Sequence, residues 1–341
     1  MIRRKQEGFV LVLTLLILAA ITIFAAYFGE RVQKSLQLAQ QKQNLNDKQI
    51  NLYNVRAELL FRLGTVHLTQ YGLGPKDQAI ALDDRSYSVD NTTLQLQDAR
   101  GLLNLNIVSD ERLFRFLGAM EVPADQRNRL IDILRDYIDE DDLRRLNGAE
   151  SGEYQKLGLP PPTNLPLVSP LELKNVLGWR DTAPLWKNKI TVANLTTVGN
   201  VFGTNPNTAP WQVLVSLPGI TPELAQSIII RRQLEPDIGE GFITQMTGVN
   251  SFQEMGQIVA LPADSVRVTQ RADGLPWALR YNVQLTPMSN ISPWEINYFY
   301  RLEEKPDPAI TPPGATAADI PKLALPPRPD RLAVPASTAS P

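Results

Sequence analysis

The 341-residue chain contains no cysteine and a single histidine, His67. Without cysteine there is no disulfide, no thiolate nucleophile and no cysteine-ligated zinc. One histidine rules out a multi-histidine metal site and weakens any Ser-His-Asp arrangement. His67 lies in AELLFRLGTVHLT, among helically spaced apolar positions, which predicts a packed or half-exposed side chain. Charge imbalance is also missing. The 34 Lys and Arg against 36 Asp and Glu leave a formal charge of −2, so there is no global pull towards nucleic acid or acidic lipid. No stretch nominates a polar pocket, a nucleophile with a base, or a Gly-rich phosphate loop. Acidic pairs exist, but the pattern favours assembly over catalysis, and no small-molecule substrate is expected.

What is present starts at the N-terminus. Arg3, Arg4 and Lys5 form a basic head. From Phe9 to Phe28 no residue is charged, about the length a helix needs to cross a bilayer. A secretory h-region is shorter, roughly 7–15 residues, and ends at a small-x-small site. No A-x-A follows this run; Ala25-Ala26 is the nearest approach. The basic head should stay cytoplasmic, with the rest of the chain on the far side. The plain reading is a single-pass anchor with its N-terminus inside.

Beyond Phe28 the helical pattern continues without proline. Leu36, Leu38, Leu45, Ile50, Leu52, Val55, Leu59 and Leu60 form an apolar stripe of helical period. A juxtamembrane coiled coil is the alternative, but heptads are not sustained. Near Ser86 the period changes to two. SYSVDNTTLQLQDARGLLNLN reads as a hairpin turning at Asp90-Asn91. The next strands come late: SVRVTQRA, ALRYNVQLTP and WEINYFYRLE. The block between the two sets is helical and interrupts the sheet.

Three motifs lie in that block. SLPGITPELAQSIIIRR predicts a tight turn and then a helix with Thr221 as N-cap and Pro222 at its first position. It looks like half of a helix-hairpin-helix motif, which would bind DNA phosphate at a helix N-terminus. A membrane-anchored DNA-binding protein is therefore the alternative function. Against it, Glu223 sits in the first turn and Arg231 and Arg232 are a full helix away. NPNTAPWQVL predicts a helix capped by Asn207 or Thr208, with Trp211, Val213, Leu214 and Leu217 on its buried face. DYIDEDDLRRLNGAESGEY is the densest acidic run. Asp132, Asp136, Asp139 and Glu140 share helical spacing and repel on one face. Asp139, Asp141, Asp142 and Glu150 lie where the helix is expected to end, before Asn147-Gly148, and oppose its dipole. Ca²⁺ would relieve both strains, although the spacing is not an EF-hand. The alternative is a solvated face neutralised by Arg144 and Arg145. The tail after Pro306 is Pro- and Ala-rich and reads as disordered or extended, a dispensable extension rather than a docking tail.

A basic leader ending in Gly8, then Phe9 and an uninterrupted apolar helix, resembles the class III signal of type IV pilins and pseudopilins. LLNLNIVSDERLFRFL, LIDILRDYIDEDDLRRLNGAESGEY, PPPTNLPLVSPLELKNVLG and VGNVFGTNPNTAPWQVLVSLPGITPELAQSIIIRR follow in the order found in the minor pseudopilin K family of type II secretion systems. The resemblance runs from Met1 to about Glu304. It implies a pilin-like α+β fold with a long N-terminal transmembrane and stalk helix, a small antiparallel sheet, and a large all-α domain inserted into the sheet. The implied division is a leader at 1–8, the transmembrane and stalk helix at 9–66, sheet at 67–106, insert at 107–262, sheet again at 263–306, and a Pro-rich tail at 307–341. It implies cleavage between Gly8 and Phe9 by a prepilin peptidase, with methylation of the new terminus. Most pilin-like proteins carry Glu as the fifth mature residue; here that position is Leu13. In the family this Glu pairs with the amine of the subunit above, so Leu13 suits a subunit with none above it. The resemblance also implies a non-enzymatic role capping the pseudopilus tip, with the I- and J-type minor pseudopilins and the major pseudopilin as partners. It places the chain in the bacterial inner membrane with its globular part in the periplasm, and it adds weight to calcium.

Overall fold

A 59-residue helix, α1 (Glu7–Thr65), opens the computed structural model, which describes residues 7–187, 191–236, 238–248, 258–303 and Leu323. Residues 1–6 of the leader lie outside the described residues. So does the tail, apart from Leu323. At 1.5 Å per residue α1 is about 90 Å long. It contains no proline, and hydropathy in its N-terminal part reaches 2.7 with nothing packed against it. The apolar stripe divides in two. Leu36, Leu38, Leu45 and Ile50 are exposed, whereas Leu52, Val55, Leu59, Leu60 and Leu63 are buried against the sheet. The helix stops at Thr65, so His67 falls beyond it and is exposed, not packed on a helical face.

Two short strands follow, β1 (Leu68–Thr69) and β2 (Gly72–Leu73), paired with each other. Then comes the hairpin of β3 (Asp83–Val89) and β4 (Thr92–Asp98). Asp90 and Asn91 both take positive φ, 43° and 58°, the geometry that matches hairpin twist. Asn51 of α1 donates its side-chain amide to the Asp90 carbonyl, which ties the helix to the turn. The hairpin is shorter than the sequence pattern predicts. After Asp98 a 3-10 turn at Ala99–Gly101 takes the chain out of the sheet. LeuLeuAsn at 102–104 then serves the insert, where β5 (Leu103–Asn104) pairs in parallel with β6 (Thr196–Thr197).

The insert is otherwise helical: α2 (Asp110–Ala119), α3 (Ala124–Ile138), α4 (Ser151–Lys156), α5 (Ala183–Trp186), α6 (Val192–Leu195), α7 (Trp211–Val215), α8 (Pro222–Leu234) and α9 (Glu240–Thr247). The α7 cap differs from expectation. Pro210 holds the N-cap position without a side-chain bond. Asn207 instead exchanges two 3.0 Å hydrogen bonds with the backbone of Ile238. Thr208 donates to Asp98. Trp211 is 38% exposed, and Gln212 takes the buried place beside Val213 and Leu214. Thr221 does cap α8, its Oγ1 accepting from Leu224 N–H at 3.2 Å, with Pro222 next in the chain.

The chain returns to the sheet through β7 (Ser265–Ala272), β8 (Trp277–Leu285) and β9 (Trp294–Glu303). The strand order is β3-β4-β7-β8-β9, antiparallel throughout. Period-two alternation gives the sheet two unlike faces. Leu94, Leu96, Val266, Val268, Leu279, Tyr281 and Val283 share an apolar cluster with the end of α1. The opposite face carries Arg267, Thr269, Arg280 and Asn282, all buried. There Arg280 donates to Thr269 Oγ1 at 2.9 Å and to Asn194 Oδ1, in α6, at 2.6 Å. A second apolar cluster fills the insert, around Phe116, Leu134, Tyr154, Trp179 and Leu214.

Candidate functional site

Two regions carry features that packing alone does not explain: the free length of α1 and the acidic loop after α3. On α1, Gly8 and Phe9 lie inside the helix, whose backbone is described from Glu7; their side chains are outside the description. Leu13 is on the exposed apolar surface, 47% accessible. From Val10 to Ile50 the apolar side chains are exposed among the described residues, apart from the partly covered Ala20.

The acidic loop begins sooner than the sequence predicts, because α3 ends at Ile138 with Asp139 as its C-cap. Residues 139–148 then fold back along α3. Asp132 holds the fold-back by accepting from Asn147 N–H at 3.1 Å and from its side-chain amide at 2.9 Å. Asp136, one turn later and fully buried, accepts from Arg145 N–H at 3.2 Å. Gly148 must be glycine here, since a Cβ would lie 1.8 Å from Asp136 Oδ2. Glu150 precedes α4 and its N–H donates to Glu153 Oε2 at 3.1 Å. Arg144 is drawn to Glu153 at 3.0 Å, and Arg145 lies 3.5 Å from Asp110 and 3.8 Å from Asp136. The two arginines therefore pair with other carboxylates, although Arg145 still lowers Asp139 through space.

Those four do not share one environment. Asp141 and Asp142 are exposed. Asp141 accepts from Leu143 N–H at 2.7 Å, and Asp142 accepts from the Asn164 amide at 3.4 Å. Glu150 is buried, and both of its carboxylate oxygens lack a hydrogen-bond partner; Asp139 Oδ1 and Asn164 Oδ1 are buried and unpartnered as well. Burial, then repulsion from Asp136, Asp139, Asp142 and Asp141, pushes Glu150 up to about 7. Asp139 is raised by burial and by Asp141, and Asp136 by burial. Among the described residues, no three His, Cys, Asp or Glu side chains are grouped to hold a metal on their own. The unpartnered atoms are all oxygens, two carboxylates and one side-chain amide. A donor set made only of oxygens is the kind that suits a hard cation. Asn164, held at φ 50° with its amide N–H donating to the Asp141 carbonyl at 3.3 Å, is the participant the sequence reading missed. Its distance in sequence from the acidic run hid it.

The helix-hairpin-helix likeness is structural only in its turn. Gly219 takes φ 72° between α7 and α8. Arg232 points inward and donates to the carbonyls of Pro206 and Ala209 at 2.8 and 2.6 Å. Arg231 stacks on Phe242, 4.6 Å from the ring centroid.

A membrane-length helix continuing into an amphipathic stalk, packed on an antiparallel sheet, defines a pilin-like α+β protein. Residues 93–183, from β4 into the insert, match the family model for type II secretion system (T2SS), protein K. That stretch is therefore similar to protein K of the type II secretion system. Among the described residues one helix is long and apolar enough to cross a membrane, which fits a membrane-anchored single-pass protein. No curated protein matches it. The crystal structure of the GspK-GspI-GspJ complex from the enterotoxigenic Escherichia coli Type 2 Secretion System is similar at 16% identity. That match covers 80% of this chain and 100% of the other, with a TM-score of 0.46.

Proposed function

We propose that this chain caps the tip of the pseudopilus, in complex with I- and J-type minor pseudopilins, and so supports export of folded proteins across the outer membrane. Leu13 carries the reading. A carboxylate inside a bilayer needs a partner, and a subunit with no neighbour above is better served by an apolar residue. The unpartnered stripe at Leu36, Leu38 and Leu45 offers a surface for the major and minor pseudopilins below. The role is structural, not enzymatic. The basic head stays in the cytoplasm, α1 crosses the inner membrane, and sheet and insert lie in the periplasm.

Mass spectrometry of the native N-terminus tests this directly. A chain starting at N-methylated Phe9, and reverting to an uncut leader without prepilin peptidase, is the expected result. A chain keeping residues 1–8 in both strains overturns the reading.

Calcium belongs to the same proposal. Glu150, Asp139 and the Asn164 carbonyl would hold it, with Asp141 and Asp142 adding negative field. Its charge would remove the repulsion within the loop. Calcium should raise the melting temperature at pH 7.5, and the rise should vanish in Glu150→Gln.

A further inference from the structure

The last strand, β9, ends at Glu303 on one edge of the sheet. The opposite edge is β3. Leu323, twenty residues beyond Glu303, is seated on that far edge. Its N–H donates to the Ser88 carbonyl at 3.0 Å. Its side chain is half-buried against the cluster that contains Tyr87, Val89 and the end of α1. One residue thus combines an edge hydrogen bond with an apolar contact, the two elements of strand addition.

The chain can reach this position. Twenty extended residues span up to about 70 Å, whereas crossing four strand spacings needs about 19 Å. Lys322-Leu323-Ala324-Leu325 lies between Pro321 and Pro326-Pro327, and proline has no N–H to add to a ladder. An exposed strand edge invites pairing with another chain, and short covers flanked by proline are a known remedy.

We propose that the chain returns in cis at Leu323 to cover part of the β3 edge. The cover denies that edge to a strand from another copy or another pseudopilin.

Hydrogen–deuterium exchange on the full chain in detergent tests the docking. The fragment around Leu323 should exchange at least about tenfold more slowly than a synthetic peptide of residues 318–330, a comparison that needs no variant. Leu323→Asp should abolish the slowing while fragments from β7 and β8 keep theirs. Exchange at the free-peptide rate in the unaltered chain would overturn the proposal. Slowing that disappears on dilution would also overturn it, because it would place the tail on a neighbouring copy.

Discussion

At Asp98 four donors converge on one buried carboxylate. Oδ1 accepts from Arg100 N–H at 3.0 Å and Ala263 N–H at 2.9 Å. Oδ2 accepts from the Asn205 amide at 2.9 Å and the Thr208 hydroxyl at 2.8 Å. The donors come from the exit of the sheet, from the insert and from the return to β7, so one side chain joins three segments far apart in sequence. Asp98→Asn would turn an N–H₂ towards two donors. A loss of about 2–4 kcal/mol is expected, read from urea denaturation, whereas Thr208→Val should cost about 1 kcal/mol. Glu150 predicts a pH effect in metal-free protein. Its folded value, about 7, lies above that of the unfolded chain, so the native state keeps a proton the unfolded state has lost. Stability should therefore fall as pH rises from about 4.5 to about 7 and level off above. Glu150→Gln in EDTA should flatten that slope. An unchanged slope would show that Glu150 titrates normally. Neither Asp98 nor Asn164 stood out in the sequence, since Asp in DARG and Asn after PPPT look like ordinary loop residues until the fold supplies their partners.

The element scale separates two halves of one helix. Both halves of α1 have the same apolar period, but only its C-terminal end meets the sheet. Leu59→Ala, at a site that is 1% exposed, should cost about 2–5 kcal/mol through lost burial and a cavity. Leu45→Ser, at 44% exposure, should leave head stability within about 0.5 kcal/mol and weaken association with other pseudopilins. Equal losses in the two variants would mean that the upper stalk is packed within the chain. At α8, removing the Thr221 cap with Ala should cost about 1 kcal/mol. The cap was legible because Thr-Pro-Glu is local chemistry. The early end of α3 was not, because the acidic run continues with helical spacing past Ile138. What stops the helix is tertiary: Asp132 and Asp136 bond the backbone and side chains of 145–147, which draws the chain back on itself.

For the whole molecule, the sheet is covered on both faces, by α1 on the apolar side and by the insert on the polar side. Arg267 shows how firmly the second contact is built. It is 1% exposed, donates to the Asn194 carbonyl and lies 3.1 Å from Asp84. The insert is thus tied to the sheet by the Asn194 contact, as a cap at a fibre tip would require. Leu13→Glu tests the assembly role at this scale. With the carboxylate restored, the subunit should enter the body of the fibre, raising its copy number relative to the major pseudopilin in cross-linked, purified pseudopili. A copy number unchanged from the unaltered chain would remove Leu13 as the determinant of position.

The sequence by itself determined the anchor, the stalk, the hairpin and the late strands. Each rests on a local period, and periodic burial or membrane transfer depends only on neighbours along the chain. The tertiary structure decided which half of the stalk is buried and where α3 stops. It also decided that Arg232 serves backbone carbonyls, that Asn164 joins the acidic loop, and that Leu323 returns to β3. These outcomes depend on groups brought together from distant parts of the chain, where hydrogen bonds and desolvation act through space and leave no periodic trace in the sequence.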